Sequence, residues 1–366
     1  MTLPNYAEAA PDLRQRCALG ISDQRMTLQE AIDAYHGGDT LIVDEEIRPI
    51  GRAAAEQLFG MVGLNVKTIG ELSGHPDIQR AMALAKLSDV EEEKRANVVL
   101  ARGRQVDEEQ RVIDSFITSG FMPPNNSEVL TRLGEVLPGD AQIHSAVIHG
   151  RRMNLRVVSP SWTHDIGHGD TAYSGLVIRN DELARTSTMV RVGVARVACF
   201  NWSILDEPVL EFSEGVMTWD VLGNVLQDAV GRLNSLAAGV VSTMRSFHDI
   251  EVEDVAGMLR VICGEQGLPQ YVEDEALRWW EATGGHNSLF WTHQSVAAAV
   301  SRMTSGKRQQ WDRRERVEVQ TYNMARSFAE QGRLEVCTCP RCHRPLREYA
   351  IDGDFVALGG GNGQDH

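Results

Sequence analysis

Lysine is nearly missing from this chain. Only Lys67, Lys86, Lys94 and Lys307 occur among 36 basic residues in 366, so positive charge means arginine here. Acids outnumber bases, with a net charge of −15, which argues against blanket electrostatic coating of nucleic acid or an anionic membrane. No apolar run approaches the roughly 18 residues of a membrane span. The opening MTLPNYAEAAPDLRQR lacks the basic start and apolar stretch of a signal peptide, so a cytoplasmic protein is expected. A Walker-type phosphate loop is also missing, because the glycines around Gly359 belong to a polar tail rather than a strand-to-helix turn. No repeat and no low-complexity linker interrupts the chain. Cysteine is sparse at six, and in a cytosolic chain these are expected to be reduced thiols or metal ligands rather than disulfides.

What is present is organised around residues 170–206. Tyr173 to Ile178 is an apolar run, and Asn180-Asp181-Glu182 breaks it as a turn, since Asn and Asp side chains bond nearby backbone. In the next run Val190, Val192 and Val194 alternate with Arg191, Gly193 and Ala195, the period of a strand with one buried face. The phase slips after Val194, which a β-bulge or a change of packing partner explains. Upstream, Ile143–Ile148 and the alternation Arg152-Met153-Asn154-Leu155-Arg156-Val157 read as a hairpin around Gly150-Arg151. A polar loop, Ser159 to Asp170, then leads to the central strands. The expectation is an antiparallel sheet of about four strands. From Val216 to Phe247, Trp219, Leu222, Leu226, Val230 (or Ala229), Leu233, Leu236, Val240, Met244 and Phe247 recur at helical spacing, one long helix whose stripe covers that sheet.

Around this centre the chain reads as helical. Thr27 can cap a helix from Leu28 with Glu30 reaching back, short apolar runs at 41–43 and 47–50 flank an acidic turn, and 53–61 is helical. A helix over 72–85 carries Pro76 near its start, and dense charge makes 87–111 a surface helix. At 124–126, Pro-Asn-Asn ends an extended segment, and Asn126 or Ser127 caps the helix that follows. Further helices are expected at 255–263, 273–282, 288–303 and 307–330. The fold class is therefore α+β in three parts: a mostly helical 1–138, a sheet-plus-long-helix core over 139–305, and a C-terminal helix with a Cys-rich knuckle over 306–366.

Three stretches carry a resemblance. Gly175-Leu176-Val177-Ile178, Asn180-Asp181-Glu182, Ser187-Thr188 and Arg196-Val197-Ala198-Cys199-Phe200-Asn201 form the first. Phe116-Ile117-Thr118-Ser119, Phe121 and Pro124-Asn125-Asn126 form the second, and Asn287-Ser288-Leu289-Phe290-Trp291 onward the third. Together they resemble the phage- and plasmid-encoded family catalogued as domain of unknown function 932. The chain departs from that pattern at Ala184 and at Trp202, both places where the family usually has glycine. The strand-strand-strand-helix order is also similar to that of viral and Rad-type single-strand annealing proteins. These resemblances imply a phage-type context and a nucleic-acid task, with no reaction specified.

Four clusters carry candidate chemistry. Between 141 and 200 stand seven arginines (Arg151, Arg152, Arg156, Arg179, Arg185, Arg191, Arg196) against four acids. Arginine on the open face of a one-sided sheet, beside Tyr173 or Trp162, is a means of holding single-stranded DNA. In the bland reading the same arginines pair with the chain's own carboxylates. On the first reading an Arg152→Ala/Arg156→Ala double variant is expected to stay folded and lose DNA affinity. Cys337, Cys339, Cys342 and His343 pack four potential ligands for a structural zinc ion into seven residues, with His343 or an outside residue completing the set. A metal-free tail is the other reading. His164-Asp165-x-x-His168-x-Asp170 has the residue types of a metal-dependent hydrolase, against a solvated turn. Cys199, in a Val-rich strand, reads as a small buried hydrophobe. The expected function is an oligomeric single-stranded-DNA-binding protein, of annealing or recombination type, without a catalytic centre. A structural or interaction protein oligomerising through the same sheet comes second, and the hydrolase third.

Overall fold

A computed structural model describes residues 3–18, 21–35, 40–43, 46–65, 71, 75–105, 111–118, 121–149, 151–199, 201–213, 215–302 and 308–331. The class is α+β, with antiparallel sheets of six and three strands and two smaller pairs.

The N-terminal part begins with α1 (Tyr6–Ala18), β1 (Ile21–Thr27) and α2 (Leu28–Asp33). Thr27 and Glu30 form the expected capping box. The two short apolar runs pair as the hairpin β2 (Thr40–Val43) and β3 (Glu46–Pro49), and α3 (Arg52–Met61) and α4 (Pro76–Ser88) follow. The surface helix expected over 87–111 is overturned. Only one turn, α5 (Glu92–Arg95), is helical before the chain enters β4 (Val98–Gln105), which lies between β1 and β5 (Arg111–Thr118). Val99 and Ala101 alternate onto a buried face, and that period of two outweighs the helical charge pattern. This sheet, α2, α3 and α4 enclose a separate core around Tyr35, Leu58, Phe59 and Phe116. After β6 (Phe121–Met122), Glu128 accepts the backbone N–H of Asn125 at 2.9 Å at the start of α6 (Asn126–Val136).

The larger sheet is built from β7 (Gln142–His149), β8 (Arg152–Gly167), β9 (Asp170–Asp181), β10 (Thr188–Arg196) and β11 (Trp202–Ile204). Their order is β11-β10-β9-β8-β7, with β12 (Leu210–Phe212) also on β10. The polar loop expected over 159–170 is overturned. β8 runs on to Gly167, because Trp162 and Ile166 supply buried alternate positions, and Thr163 and Asp165 pair with Tyr173 and Thr171. The phase slip after Val194 is the end of β10 at Arg196, where the chain turns into β11.

Each face of this sheet meets a helix. After β13 (Gly215–Val216), α7 (Trp219–Ser246) lays Leu222, Leu226, Ala229, Leu233, Ala237, Val240 and Met244 against Leu155, Val157, Leu176, Ile178, Val190, Val192 and Val194. Trp219 departs from the expected stripe: it is 42% exposed, with the Arg132 guanidinium 4.0 Å above its ring. The helices α8 (Val255–Glu265), α9 (Gln270–Ala282) and α10 (Leu289–Arg302) extend the α7 core, and α11 (Arg308–Gln331) lies over the opposite face of the sheet. Among the described residues no helix is long and apolar enough to cross a membrane.

On that opposite face the largest fully buried side chain is Trp202. Gly175 and Gly193, partners in register, make its room. A Cβ at either would stand within 2.9 Å of the indole, and at Gly175 only 2.3 Å from the Val157 carbonyl. Ala184, by contrast, adopts φ 54°, the left-handed region that glycine favours.

Asn180-Asp181-Glu182 forms the end of β9 and the turn after it, and it is buried rather than solvated, at 0%, 0% and 1% exposure. Glu182 Oε1 accepts the Asn126 backbone N–H at 2.5 Å, Oε2 accepts from Arg151 Nη1 at 3.0 Å, and its carbonyl accepts from Arg102 at 2.6 Å. Asn180 donates to the Pro124 carbonyl and to Asn126 Oδ1. The turn clasps the small sheet to the large one. Burial pushes the Glu182 carboxyl up, against the opposing pull of the Asn126 N–H and Arg151.

Candidate functional site

The seven arginines do not share an open face. Arg152, Arg156, Arg179 and Arg191 occupy alternate positions on the side of the sheet that α11 covers, so the expectation of a one-sided sheet with exposed arginines is corrected. The cause is a stripe on α11: Glu315, Glu318 and Val319, at helical spacing, are all buried. Arg156 grips Glu318 through two hydrogen bonds of 3.0 and 2.5 Å, and Arg314 adds a third of 2.9 Å. Burial alone would raise the Glu318 carboxyl, but Arg156 and Arg314 outweigh it and hold it below the usual range. Arg191 donates to Glu315 at 3.0 Å. Elsewhere Arg151 pairs with Glu182 and Arg185 with Asp181, while Arg196, at the other end of β10, pairs with Asp170 at 2.5 Å. Because Arg156 is 3% exposed and Glu318 2%, the double Arg152→Ala/Arg156→Ala variant is no longer expected to keep its fold.

A cleft of about 600 Å³ remains beside these pairs, between the sheet and α11. Arg152, Arg179, Arg191, Arg316 and Arg326 line it, with the acids Asp206, Glu265, Glu315 and Glu330. Five arginines against four carboxylates reverse the sign of a strongly acidic chain. The Nε atoms of Arg179 and Arg191 are buried with no hydrogen-bond partner among the described residues. Arg179 makes no ion pair among those residues, and its Nη2 meets Met189 Sδ at 3.9 Å. A planar donor fork of this kind suits a phosphate or carboxylate.

A second concavity, of about 730 Å³, gathers residues that the sequence scatters. His168 and Asp170 come from the β8–β9 turn, Arg196 from the end of β10, His248 and Glu251 from beyond α7, and His286, Asn287, Ser288 and Trp291 from the entry to α10. Three of the stretches picked out in sequence therefore meet here. His248 and His286 carried no sequence signal, since neither sits in a patterned stretch. The histidine motif itself divides: His164 turns inward to Ser174 Oγ at 2.6 Å, and Asp165 bonds the Gly167 N–H. Burial lowers the His164 and His248 rings, His248 to about 4. Among the described residues no group of three His, Cys, Asp or Glu side chains is placed to hold a metal ion.

Cys199 is half-buried, with its sulfur 3.7 Å from Arg196 Nη1 and 4.0 Å from Gln294 Oε1. Burial raises its thiol, which argues against a nucleophile. Cys337, Cys339, Cys342 and His343 lie outside the described residues. No protein-family model, curated protein or solved structure matches this chain, so its reading rests on its own residues.

Proposed function

We propose that this is a phage-type binding protein for single-stranded nucleic acid, without a catalytic centre, which takes phosphates into the cleft between the large sheet and α11. The observation that carries the reading is the pair of buried guanidinium N–H donors, Nε of Arg179 and Nε of Arg191, that have no partner among the described residues and belong to side chains lining one arginine-rich cleft. Leaving such donors unpaired costs about 1–3 kcal/mol each, and a phosphate oxygen removes that cost. Cavities of roughly 300–1,000 Å³ hold a ligand of nucleotide size. The overall acidity of the chain limits binding to this cleft rather than to the surface at large.

Titration of labelled single-stranded DNA at several salt concentrations tests it. Arg179→Ala removes no ion pair seen among the described residues and should leave the fold intact. It is expected to weaken binding and to flatten the salt slope by about 0.7 for each phosphate no longer neutralised. No binding by the wild type at low salt, or an unaltered slope in Arg179→Ala, overturns the proposal.

A second reading, a structural or interaction protein that self-associates, draws on the five arginines already neutralised by the chain's own carboxylates. It predicts an assembly in light scattering that persists without DNA. The structural zinc expected at Cys337, Cys339, Cys342 and His343 is decided by elemental analysis of protein purified without chelator, with about one equivalent for a filled four-ligand site.

A further inference from the structure

The histidine-lined pocket is built of flat rings. His248 stacks on Phe290 with centroids 3.7 Å apart and planes at 21°, and His168 lies over His248 at 4.5 Å. His286 stacks on Trp291 at 5.5 Å and 27°. The Phe290 and Trp291 rings stand at 90° to each other, so the two stacks meet in a corner. The Arg196 guanidinium fills that corner, 4.8 Å from Trp291 and 5.6 Å from Phe290, and Asp170 fixes its direction.

Local backbone holds these rings in place. Gly167 and Asp170 are paired across the hairpin, and the two residues between them, His168 and Gly169, have φ of 54° and 75°. That is the conformation of a two-residue hairpin turn usually built from Asn, Asp or Gly, and a histidine there is held at some steric cost. Opposite, Gly284 and Gly285 have φ of 98° and 63°, and Trp280 Nε1 donates to the His286 carbonyl at 2.9 Å. The Val252 N–H bonds the Asn287 carbonyl, and Glu251 bridges to Ser288, tying that wall to the segment after α7. His248 Nε2 is buried with no partner among the described residues.

We propose that this pocket is a nucleobase site, in which an unstacked base lies against the exposed imidazole rings of His168 and His286 while its polar edge meets Asn287, Ser288, Glu251 and the Arg196–Asp170 pair. Flat, sequence-tolerant surfaces of this kind bind bases by stacking, and the mixed donors and acceptors match a heterocycle edge better than an isolated anion. The site is separate from the phosphate cleft, because Arg196 and the three sheet arginines that line the cleft, Arg152, Arg179 and Arg191, lie on opposite faces. A free nucleoside and a base carried by a strand share this chemistry, and the test separates them.

Equilibrium dialysis with adenosine, which has no phosphate, reads this pocket alone. An abasic single strand reads the phosphate cleft alone, and a base-bearing strand of the same length reads both. His168→Asn keeps a residue suited to the left-handed turn while removing the exposed ring, and His286→Ala is the second variant. Retained adenosine affinity that falls about fivefold to a hundredfold in both variants, the range set by stacking one base on one ring, supports a free nucleoside. A base-bearing strand that binds more tightly than the abasic one, with the advantage abolished in His168→Asn and no adenosine bound, supports a strand-borne base. If adenosine does not bind and the two strands bind alike, or if neither variant alters any arm, the base site is overturned, while abasic binding still reports on the cleft.

Discussion

The two faces of the large sheet are covered by helices of opposite character. Under α7 the contact is apolar along its length, from Leu155 and Ile178 to Leu226 and Leu233, with Arg245 bonding the Asp165 carbonyl only at the helix's end. Under α11 it mixes one small apolar patch, Trp202 with Val158, Val177 and Val319, and a lattice of arginine and glutamate. An apolar face tolerates the loss of one side chain in proportion to the cavity left behind. A buried charged face behaves differently, because removing one partner strands the other in a low-dielectric site. The first face holds the fold together, and the second ties a helix to a sheet by charges that need each other.

The largest expected effect comes from breaking the charged face. Arg156→Ala leaves Glu318 with Arg314 alone, and unfolding free energy should fall by about 3–5 kcal/mol. A matched apolar set that removes all three members, Arg156→Met and Arg314→Met with Glu318→Leu, should recover most of it, because no buried charge is then left without its partner. Equal denaturation midpoints for wild type and Arg156→Ala would show that the lattice contributes nothing. On the apolar face Leu233→Ala should cost about 2–5 kcal/mol. Gln227→Ala, exposed on the same helix, should stay within about 0.5 kcal/mol. Coinciding melting curves for those two variants would contradict the packing of α7.

Acid sharpens the comparison further. Glu318 is held below the ordinary carboxyl value, so the unfolded chain binds its proton more readily. Stability from this group is complete above the unfolded value of about 4.3 and is lost as pH falls through the lower folded value. Glu318→Gln should therefore lower the melting temperature at neutral pH and flatten its fall below about pH 4. Glu182, raised by burial, contributes the opposite slope, which Glu182→Gln should remove. A neutral-pH melt and an acid slope for Glu318→Gln that both match the wild type would refute the assignment. The smallest effect is expected away from both faces: Ala184→Gly relieves a left-handed alanine and should raise stability by up to about 1 kcal/mol, read as a small upward shift in melting temperature.

Strong periodicity made α7, α8–α10, the 142–157 hairpin and the β9–β10 pair readable in sequence, because each side chain there obeys the period of its own element. Capping chemistry was equally local, as Thr27 and Glu30 illustrate. Local signals failed where two tendencies competed. Dense charge concealed the buried period of β4, and the polar residues of 159–170 concealed a strand whose inward positions are Trp162 and Ile166.

The α+β class, the central strands, the long apolar helix and the arginine-rich character of the sheet follow from composition and short-range spacing. Long-range packing sets which arginines pair with Glu315 and Glu318, buries Asn180-Asp181-Glu182 as a clasp, and gathers His168, Arg196, His248 and Trp291 into one pocket. Whether a guanidinium faces water, a carboxylate or a ligand depends on what a helix more than 100 residues away lays over it. No periodicity within a strand encodes that cover.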